Sequence, residues 1–479
     1  MNPTLPGVFA ASFSRFGDAL AVADPDSSLT YSQLADRAEA VSAWMAGHGG
    51  DEGRTRVGIY ATNSTDYVAA YVGALFAGAV PFLVDSAFGP FELSRIAEDC
   101  SLDLLIHAPD AAVTSLTEEP LPHGGELGAL AASRLRGHAA SRLPLLATTE
   151  VCRFTSGSTG RPNCIEFSGG AVHAAAANWA KGTALGAEDR IACLAALSNG
   201  LAFNTSLLAA FLSGASLHLS RGLPTASRVV RLLESTGATR LVAFPALYDS
   251  MVRRGSGAGF EKVGTAISSG APLRESVREE FTRLTGVPIH NYYGVAEAGP
   301  LTFAADGTGA GLGTPLPGVQ LLTDENGIRV RSESMGSRYL NAPGVFEARV
   351  DDRGYYHTGD QGRLQADGLH LTGRTGRMVN VGGRKIDPIE VTEVLREAPG
   401  VVDAVVFEYE NRHGEPTLAA VVSAGPGATT QELRKHCAQV LPAFKVPGIL
   451  HLTDQIPANS IGKPSVQRLR RLLDDAQSN

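Results

Sequence analysis

Residues 155–162 combine hydroxyl side chains and glycines in a way that suits phosphate binding. The segment reads Thr155-Ser156-Gly157-Ser158-Thr159-Gly160-Arg161-Pro162 and follows a mostly apolar run at 151–154. Glycines let backbone N–H groups converge on an anion, and Ser and Thr hydroxyls donate further hydrogen bonds to phosphate oxygens. The segment lacks the Gly-Lys-Ser/Thr ending of a Walker loop. Taken alone, it is more typical of a polar surface turn, so its interpretation depends on the rest of the chain.

Four further motifs follow this loop. They are Asn291-Tyr292-Tyr293-Gly294-Val295-Ala296-Glu297, Tyr356-His357-Thr358-Gly359-Asp360, Gly373-Arg374 and Ser460-Ile461-Gly462-Lys463. Together with the loop, and in the same order, they resemble the motifs of the adenylate-forming superfamily. That superfamily comprises acyl- and aryl-CoA synthetases, luciferases and the adenylation domains of nonribosomal peptide synthetases. Residues 29–34 and 75–85 also resemble its earlier motifs, so the resemblance covers nearly the whole chain.

The resemblance implies which residues bind ATP. They are Thr155, Ser156, Gly157, Ser158, Thr159, Gly160, Gly270, Ala271, Asn291, Tyr292, Tyr293, Gly294, Asp360 and Arg374. The loop hydroxyls are expected to hold the β- and γ-phosphates, while Tyr293 stacks on adenine and Asn291 binds its amino edge. Asp360 is expected to accept from both ribose hydroxyls, because a carboxylate has two acceptor oxygens. Arg374 is expected to contact the ribose and a phosphate, or alternatively to join two domains.

Two charged residues are the expected catalytic groups. Glu297 is a carboxylate next to the expected phosphate site, which suits Mg²⁺ because this ion usually takes one or two carboxylates together with phosphate oxygens. Lys463 resembles the family lysine that neutralises charge when a carboxylate attacks the α-phosphate, a step that needs no covalent enzyme intermediate. A solvated loop glutamate and a solvated lysine are the alternatives. We therefore expect ATP and Mg²⁺ as cofactors.

A third set of residues is expected to line the pocket for the acid. It comprises Leu197, Ser198, Asn199, Phe203 and Ser269. Our first hypothesis for the substrate is a small aryl or amino-aryl acid of secondary metabolism. The resemblance implies that ATP activates this acid with release of pyrophosphate. The acyl group then passes to coenzyme A or to the phosphopantetheine of a separate carrier protein.

Three positions depart from the family pattern. Asn163 replaces the usual lysine of the phosphate loop, Ala296 replaces the threonine before the motif glutamate, and Leu197 stands where many acyl-CoA synthetases have a histidine. Because the expected metal-binding, ribose-binding and catalytic residues are retained, we predict a specialised enzyme. The alternatives are an amide-type ligase with an amine acceptor, an enzyme that adenylates an unconventional oxyacid, and an inactive nucleotide-binding relative.

The composition is that of a globular protein and argues against several classes of partner. The chain has 479 residues, 44% of them hydrophobic and 19% charged, which favours two or more domains. Its net charge of -8 argues against nucleic acid as a partner. Apolar stretches such as 67–80 are too short for a membrane span, and the N-terminal residues lack a signal-peptide pattern. The 5 cysteines form no CxxC pair, so we expect free thiols in a cytoplasmic protein.

Short β-rich runs alternate with helical patterns over most of the chain. Strands are predicted at 57–61, 80–85, 102–107, 240–244, 266–268 and 288–292, and helices at 66–77, 91–99 and 273–284. This alternation predicts an α/β fold whose parallel sheets are covered by helices on both faces, with ligands at the carboxyl ends of the strands. Residues 117–146 are interpreted as an excursion that precedes the phosphate loop.

A cluster of glycines predicts a domain boundary near residue 375. Gly373, Gly376, Gly382 and Gly383 lie there. We expect an N-terminal domain at 1–374 that binds ATP and the acid, and a small α+β domain at 375–479. The latter should contain helices at 388–397 and 430–440 and strands at 402–408 and 417–423. The resemblance implies that this domain is a mobile lid with a hinge at Gly376.

Overall fold

The computed structural model describes residues 3–49, 53–136, 142–155, 162–221, 225–255, 257–270, 273–307, 311–324, 327–374, 378–412, 414–425, 427–456 and 466–478. Contacts divide the chain into two compact units. The first consists mainly of Met1–Ser86, Ile96–Thr155 and Asn163–Thr375, and the second mainly of Gly376–Asn479 with Ala87–Arg95. The main division falls one residue after the boundary expected between 374 and 375.

The helices are numbered in chain order. They are α1 (Leu5–Phe16), α2 (Tyr31–Ala46), α3 (Thr65–Phe76), α4 (Pro90–Cys100), α5 (Gly169–Gly182), α6 (Gly200–Ala202), α7 (Ala209–Ser213), α8 (Ala226–Thr236), α9 (Pro245–Arg254), α10 (Glu275–Thr285), α11 (Pro388–Arg396), α12 (Thr430–Val440) and α13 (Val466–Ser478). A π-helix, Phe203–Leu208, joins α6 to α7, and short 3₁₀ turns lie at Glu347–Arg349 and Ala443–Lys445.

The strands are numbered in the same way. They are β1 (Leu20–Ala23), β2 (Ser28–Thr30), β3 (Arg56–Tyr60), β4 (Val80–Leu83), β5 (Leu104–His107), β6 (Thr117–Leu121), β7 (Ala131–Leu135), β8 (Thr149–Thr155), β9 (Asn163–Ser168), β10 (Arg190–Cys193), β11 (Ser216–Leu219), β12 (Arg240–Ala243), β13 (Thr265–Ser268), β14 (Ile289–Asn291), β15 (Gly294–Val295), β16 (Gly299–Pro300), β17 (Thr302–Phe303), β18 (Thr314–Pro315), β19 (Val319–Asp324), β20 (Gly327–Ser332), β21 (Arg338–Tyr339), β22 (Tyr356–His357), β23 (Asp360–Gln365), β24 (Gly368–Arg374), β25 (Val379–Val381), β26 (Arg384–Ile386), β27 (Val401–Glu410), β28 (Pro416–Ala424) and β29 (Ile449–Thr453).

Two large sheets form the framework of the first unit. Their strand orders are β14-β13-β12-β10-β11-β1-β2 and β21-β9-β8-β4-β3-β5-β7-β6. In the seven-stranded sheet the neighbours from β14 to β1 are all parallel, and in the eight-stranded sheet β8, β4, β3 and β5 are parallel. Parallel neighbours need crossover connections, and helices supply them. The α/β fold predicted from the alternating pattern is confirmed.

Helix α3 is the central helix of the first unit. Ser64 caps it by accepting a hydrogen bond from the backbone N–H of Tyr67, and every residue from Tyr67 to Leu75 is buried. A helix that is hydrophobic on all sides belongs in a core, and α3 packs against α1 and α2. The ring of Tyr71 meets Phe9 edge to face at a centroid distance of 6.1 Å.

Residues 117–135 are more regular than the sequence predicts. The segment expected to be an excursion contains β6 and β7; β7 extends the eight-stranded sheet antiparallel to β5, and β6 pairs antiparallel with β7. β6 is mostly exposed and contains Pro120, so it lacks the apolar alternation typical of a strand. The open edge of β5 pairs with β7, and the edge of β7 then pairs with β6. Local sequence does not reveal either edge.

The second unit is built on the sheet β27-β28-β29, in which β27 and β28 are antiparallel and β28 and β29 are parallel. Helices α11 and α12 pack with one face of it through residues such as Val391 and Leu433, while Leu469 and Leu473 of α13 join a separate cluster with Phe407. The elements predicted at 388–397, 402–408, 417–423 and 430–440 correspond to α11, β27, β28 and α12. Across the described ranges of both units, each helix is too short or too polar to cross a membrane.

Candidate active site

The carboxyl ends of β13 and β14 place several of the predicted site residues side by side. These strands are parallel neighbours, with Ser268 opposite Asn291. The backbone N–H of Tyr292 donates to the Ser268 carbonyl at 3.1 Å, and the Ser269 hydroxyl donates to the Tyr292 carbonyl at 2.9 Å. Gly270, which follows, has a φ of 85°, a conformation that favours glycine. In an open α/β sheet, this edge is where ligands bind.

A tight hairpin presents Glu297 next to this edge. β15 pairs with β16, and the turn between them consists of residues 296–298. Gly294 is required here, because a Cβ atom would lie 2.6 Å from the Gly299 carbonyl oxygen. The carboxylate of Glu297 is half-buried, and its backbone carbonyl accepts from the N–H of Gly336 at 2.7 Å. The hairpin therefore fixes the backbone on both sides of the carboxylate.

A chain of hydrogen bonds ends at Glu297. Tyr339 Oη donates to Glu297 Oε1 at 2.7 Å, Tyr339 Oη and Tyr356 Oη are 3.2 Å apart, and Arg349 Nη1 donates to Tyr356 Oη at 3.4 Å. Since Arg349 only donates and Tyr339 uses its proton for Glu297, the Tyr356 proton must point to Tyr339. Burial and the nearby carboxylate raise the pKa of Tyr339, and burial raises that of Tyr356 to about 12. Both phenols thus stay protonated and act as donors at neutral pH.

Asp360 and Tyr293 form a second polar pair. Asp360 is the first residue of β23 and is 6% exposed. Tyr293 Oη donates to Asp360 Oδ2 at 2.7 Å, and the Asp360 N–H donates to Thr358 Oγ1 at 3.1 Å. Across the β23–β24 hairpin, Asp360 is paired with Arg374. The structure thus joins the motif residues expected at adenine and at ribose through one hydrogen bond.

The segment 197–203 begins at the end of the loop after β10. Leu197 is fully buried, and its N–H donates to Asn63 Oδ1 at 2.9 Å. Asn199 caps α6 by accepting from the N–H of Leu201 at 2.9 Å, while Ser198 is half-buried. Phe203 is fully buried at the start of the π-helix, an irregularity often found at functional sites. This π-helix packs against β16, which brings the segment next to the Glu297 hairpin.

Some predicted residues lie outside the described residues. They are Ser156, Gly157, Ser158, Thr159, Gly160, Ala271, Gly376 and Lys463, and the side chain of Arg374 is likewise not described. Thr155 and Asn163 are paired at the ends of β8 and β9, so they flank the predicted phosphate loop. Tyr339 was not singled out from the sequence, because its part in the site depends on a contact with a residue 42 positions earlier in the chain.

A buried arginine also reaches this site. Arg153 Nη2 donates to the Ala296 carbonyl at 3.0 Å, directly before Glu297. Its guanidinium lies 5.1 Å from the ring centroid of Phe203 and 4.6 Å from that of Phe167. This arrangement was not predicted from the sequence, because Arg153 stands in β8, where polar and apolar residues are mixed.

Two family models match the chain. The AMP-binding enzyme model matches residues 9–348, and the AMP-binding enzyme C-terminal domain model matches residues 390–463. The chain belongs to the AMP-binding enzyme family. It is therefore an ATP-using, AMP-forming acid ligase of the adenylate-forming superfamily, as the motifs predict.

Similar proteins extend over nearly the whole chain. The 3-hydroxybenzoate–CoA ligase of Aromatoleum sp. (strain CIB) is 27% identical over 488 residues, covering 93% of this chain and 92% of that protein. Among solved structures, o-succinylbenzoate CoA synthetase from Bacillus subtilis has a TM-score of 0.84 at 20% identity, covering 97% of this chain and 98% of that chain. The amide bond synthetase from Marinactinospora thermotolerans has a TM-score of 0.82 at 22% identity, covering 97% and 99%. These two structures share the fold of this chain.

Proposed function

We propose that this AMP-forming ligase activates a small aryl acid and transfers the acyl group to coenzyme A. The observation that carries the proposal is the grouping of Tyr293, Glu297 and Asp360 at the carboxyl edge of the seven-stranded sheet. The similarity to a hydroxybenzoate–CoA ligase supports the choice of acid and acceptor. The rings of Phe203 and Tyr71, 5.6 Å apart and edge to face, form a buried aromatic pair that includes one residue of the segment proposed to line the acid pocket.

The large domain, 1–374, binds ATP and the acid in this proposal. Tyr293 stacks on adenine beside Asn291, and Asp360 accepts from the ribose hydroxyls. Its Oδ2 already accepts from Tyr293, so the phenol restrains the orientation of the carboxylate. Thr155 and the loop that follows hold the terminal phosphates.

Glu297 fits a Mg²⁺ ion. Its Oε1 accepts from Tyr339, whereas its Oε2 accepts no hydrogen bond from any residue within the described ranges. A carboxylate oxygen next to ATP phosphates is a ligand that Mg²⁺ prefers, and the bound ion would neutralise phosphate charge. Tyr339 holds Glu297 in place for that role.

The reaction has two steps. A carboxylate oxygen of the acid attacks the α-phosphorus of ATP, the bond from that phosphorus to the bridging oxygen breaks, and pyrophosphate leaves with the electron pair. The thiol of coenzyme A then loses its proton, its sulfur attacks the carbonyl carbon, and AMP leaves. Lys463 lowers the barrier of the first step, because its ammonium neutralises charge that both reactants bring to the transition state.

Pyrophosphate release with a panel of acids tests the proposal. The panel holds benzoate, 3- and 4-hydroxybenzoate, 3-aminobenzoate and hexanoate, and each is assayed with coenzyme A, with an amine, and with no acceptor. We expect acid-dependent pyrophosphate and AMP, with a thioester seen by mass spectrometry. Glu297→Gln serves as the control with a nearly isosteric, uncharged side chain. Amide without thioester would assign an amine acceptor instead, and no pyrophosphate with any acid would refute the function.

A further inference from the structure

Arg153 is a buried cation with few partners. It is 3% exposed, and its only hydrogen bond to a described residue runs from Nη2 to the Ala296 carbonyl. Its Nε is buried without a hydrogen-bond partner, and within the described ranges no carboxylate forms an ion pair with it. Burial lowers the pKa of Arg153 to about 10, so the guanidinium is still charged at neutral pH. Glu297 acts on Arg153 electrostatically but forms no ion pair with it, and a buried charge without a directly paired counter-ion is costly.

Two other buried arginines of the first unit, Arg56 and Arg240, also have nitrogens without a hydrogen-bond partner among the described residues, but each makes two polar contacts there where Arg153 makes one. Arg240 forms an ion pair with Asp189, with 3.0 Å between Nε and Oδ2. Arg56 donates to two backbone carbonyls, those of Cys100 and Leu143. Arg153 instead lies between two aromatic rings, which attract a cation only weakly compared with a carboxylate. The fold therefore holds one guanidinium with unused donors beside the candidate active site.

A second unused donor lies near the guanidinium. Tyr71 Oη is buried without a hydrogen-bond partner among the residues that the structure describes. Burial raises the pKa of Tyr71, so the phenol is protonated, and Arg153 is close enough to act on it electrostatically. Gly200 leaves room for the guanidinium, since a Cβ atom there would lie 2.8 Å from Arg153 Nη1. Both donors border Phe203, within the segment predicted to line the acid pocket.

We propose that Arg153, assisted by Tyr71, binds a second acidic group of the substrate, so that the enzyme selects an aryl acid with two carboxylates or a comparable pair of acidic groups. The inference rests on the proposed function and narrows its substrate class. A carboxylate has enough acceptor sites for the guanidinium fork and for the phenol at once. The reacting carboxylate is a poorer partner, because a tight ion pair would withdraw the electron density with which it attacks phosphorus.

Matched pairs of acids test this selection. Benzene-1,3-dicarboxylate and 3-carbamoylbenzoate have nearly the same shape but differ in the charge of the second group, and the 1,4-isomers form a second pair. Pyrophosphate release is measured with the full chain as wild type, Arg153→Met and Arg153→Lys. We expect wild type to favour one diacid over its amide on the order of 100-fold in kcat/KM, as for a buried charge pair. Arg153→Met should reduce that preference to about threefold or less, and Arg153→Lys should keep part of it.

Arg240→Met is the control, because it removes a buried arginine with an ion pair outside the candidate site. It should lower Tm and leave the acid preference unchanged, whereas Arg153→Met should not lower Tm. Equal use of diacid and amide by wild type would overturn the inference, and so would an equal loss for all acids in Arg153→Met. If no acid releases pyrophosphate, the proposed function fails, and calorimetric titration with the same acids still decides the inference. Tighter binding of a diacid to wild type, lost in Arg153→Met, then supports it, and equal binding refutes it.

Discussion

Tyr339→Phe tests whether Glu297 is held in place by the phenol. Tyr339 Oη donates to Glu297 Oε1 at 2.7 Å. A hydrogen bond to a charged acceptor contributes about 1.5–3 kcal/mol, and because Glu297 is half-buried, water replaces part of that contribution. We therefore expect a loss of about 1–2 kcal/mol, which is about 5- to 30-fold in kcat/KM for Mg·ATP. The loss should be largest at low Mg²⁺ concentration.

The assay is pyrophosphate release at saturating acid over a Mg²⁺ titration. Tyr355→Phe is the matched control, because its phenol donates to Gln320 at 3.0 Å and has no contact with Glu297. A double-mutant cycle with Glu297→Gln adds the decisive comparison: in that background, Tyr339→Phe should change kcat/KM by less than about twofold. Equal losses in Tyr339→Phe and Tyr355→Phe, or a Tyr339→Phe effect that persists in Glu297→Gln, would refute the reasoning.

Three further predictions concern nucleotide affinity, pH and the departures from the family pattern. Asp360→Asn should raise the KM for ATP about tenfold with little change in kcat, because the ribose contacts that it weakens are made both before and during the reaction. An unchanged KM in steady-state kinetics would show that the ribose binds elsewhere. Burial lowers the pKa of His218 to about 4 from an ordinary 6.5. The contribution of the neutral imidazole to the free energy of unfolding is therefore fully present above pH 6.5 and falls as the pH drops towards 4. This group lowers the free energy of unfolding by at most about 3 kcal/mol. His218→Gln should flatten the fall of Tm between these pH values, and parallel Tm curves for wild type and variant would contradict this. Asn163→Lys and Ala296→Thr should each lower the KM for ATP or raise kcat, by a factor that corresponds to about 1–3 kcal/mol. Loss of activity in these variants would show instead that the pocket uses the present residues for its own substrate.

Local sequence pattern predicts the strand that leads into the site. The strand predicted at 288–292 corresponds to β14, Ile289–Asn291, whereas the hairpin that begins at Gly294 was not predicted, because the crowding that requires glycine there appears only in the fold. The contact between Tyr293 and Asp360 joins residues 67 positions apart, so the motifs gave each residue a role without revealing that they touch. Their roles in binding remain predictions.

The features that the sequence did not reveal depend on tertiary contacts. Tyr339 reaches Glu297 only because β21 pairs with β9 at the edge of the eight-stranded sheet. Arg153 lies in a strand where polar and apolar residues are mixed, so nothing local distinguishes a buried cation with unused donors from an exposed one. The strand β6 forms because an edge is available to it.

The exchange of labelled pyrophosphate into ATP tests the central claim most directly, because it reports reversible acid adenylation without any acceptor. With an aryl acid and Mg²⁺, the wild-type protein should catalyse acid-dependent exchange. Lys463→Ala should lose about 10²- to 10³-fold in rate while it still binds ATP, since the lysine acts in the transition state. Exchange that does not depend on acid, or a Lys463→Ala variant with the wild-type rate, would contradict the account.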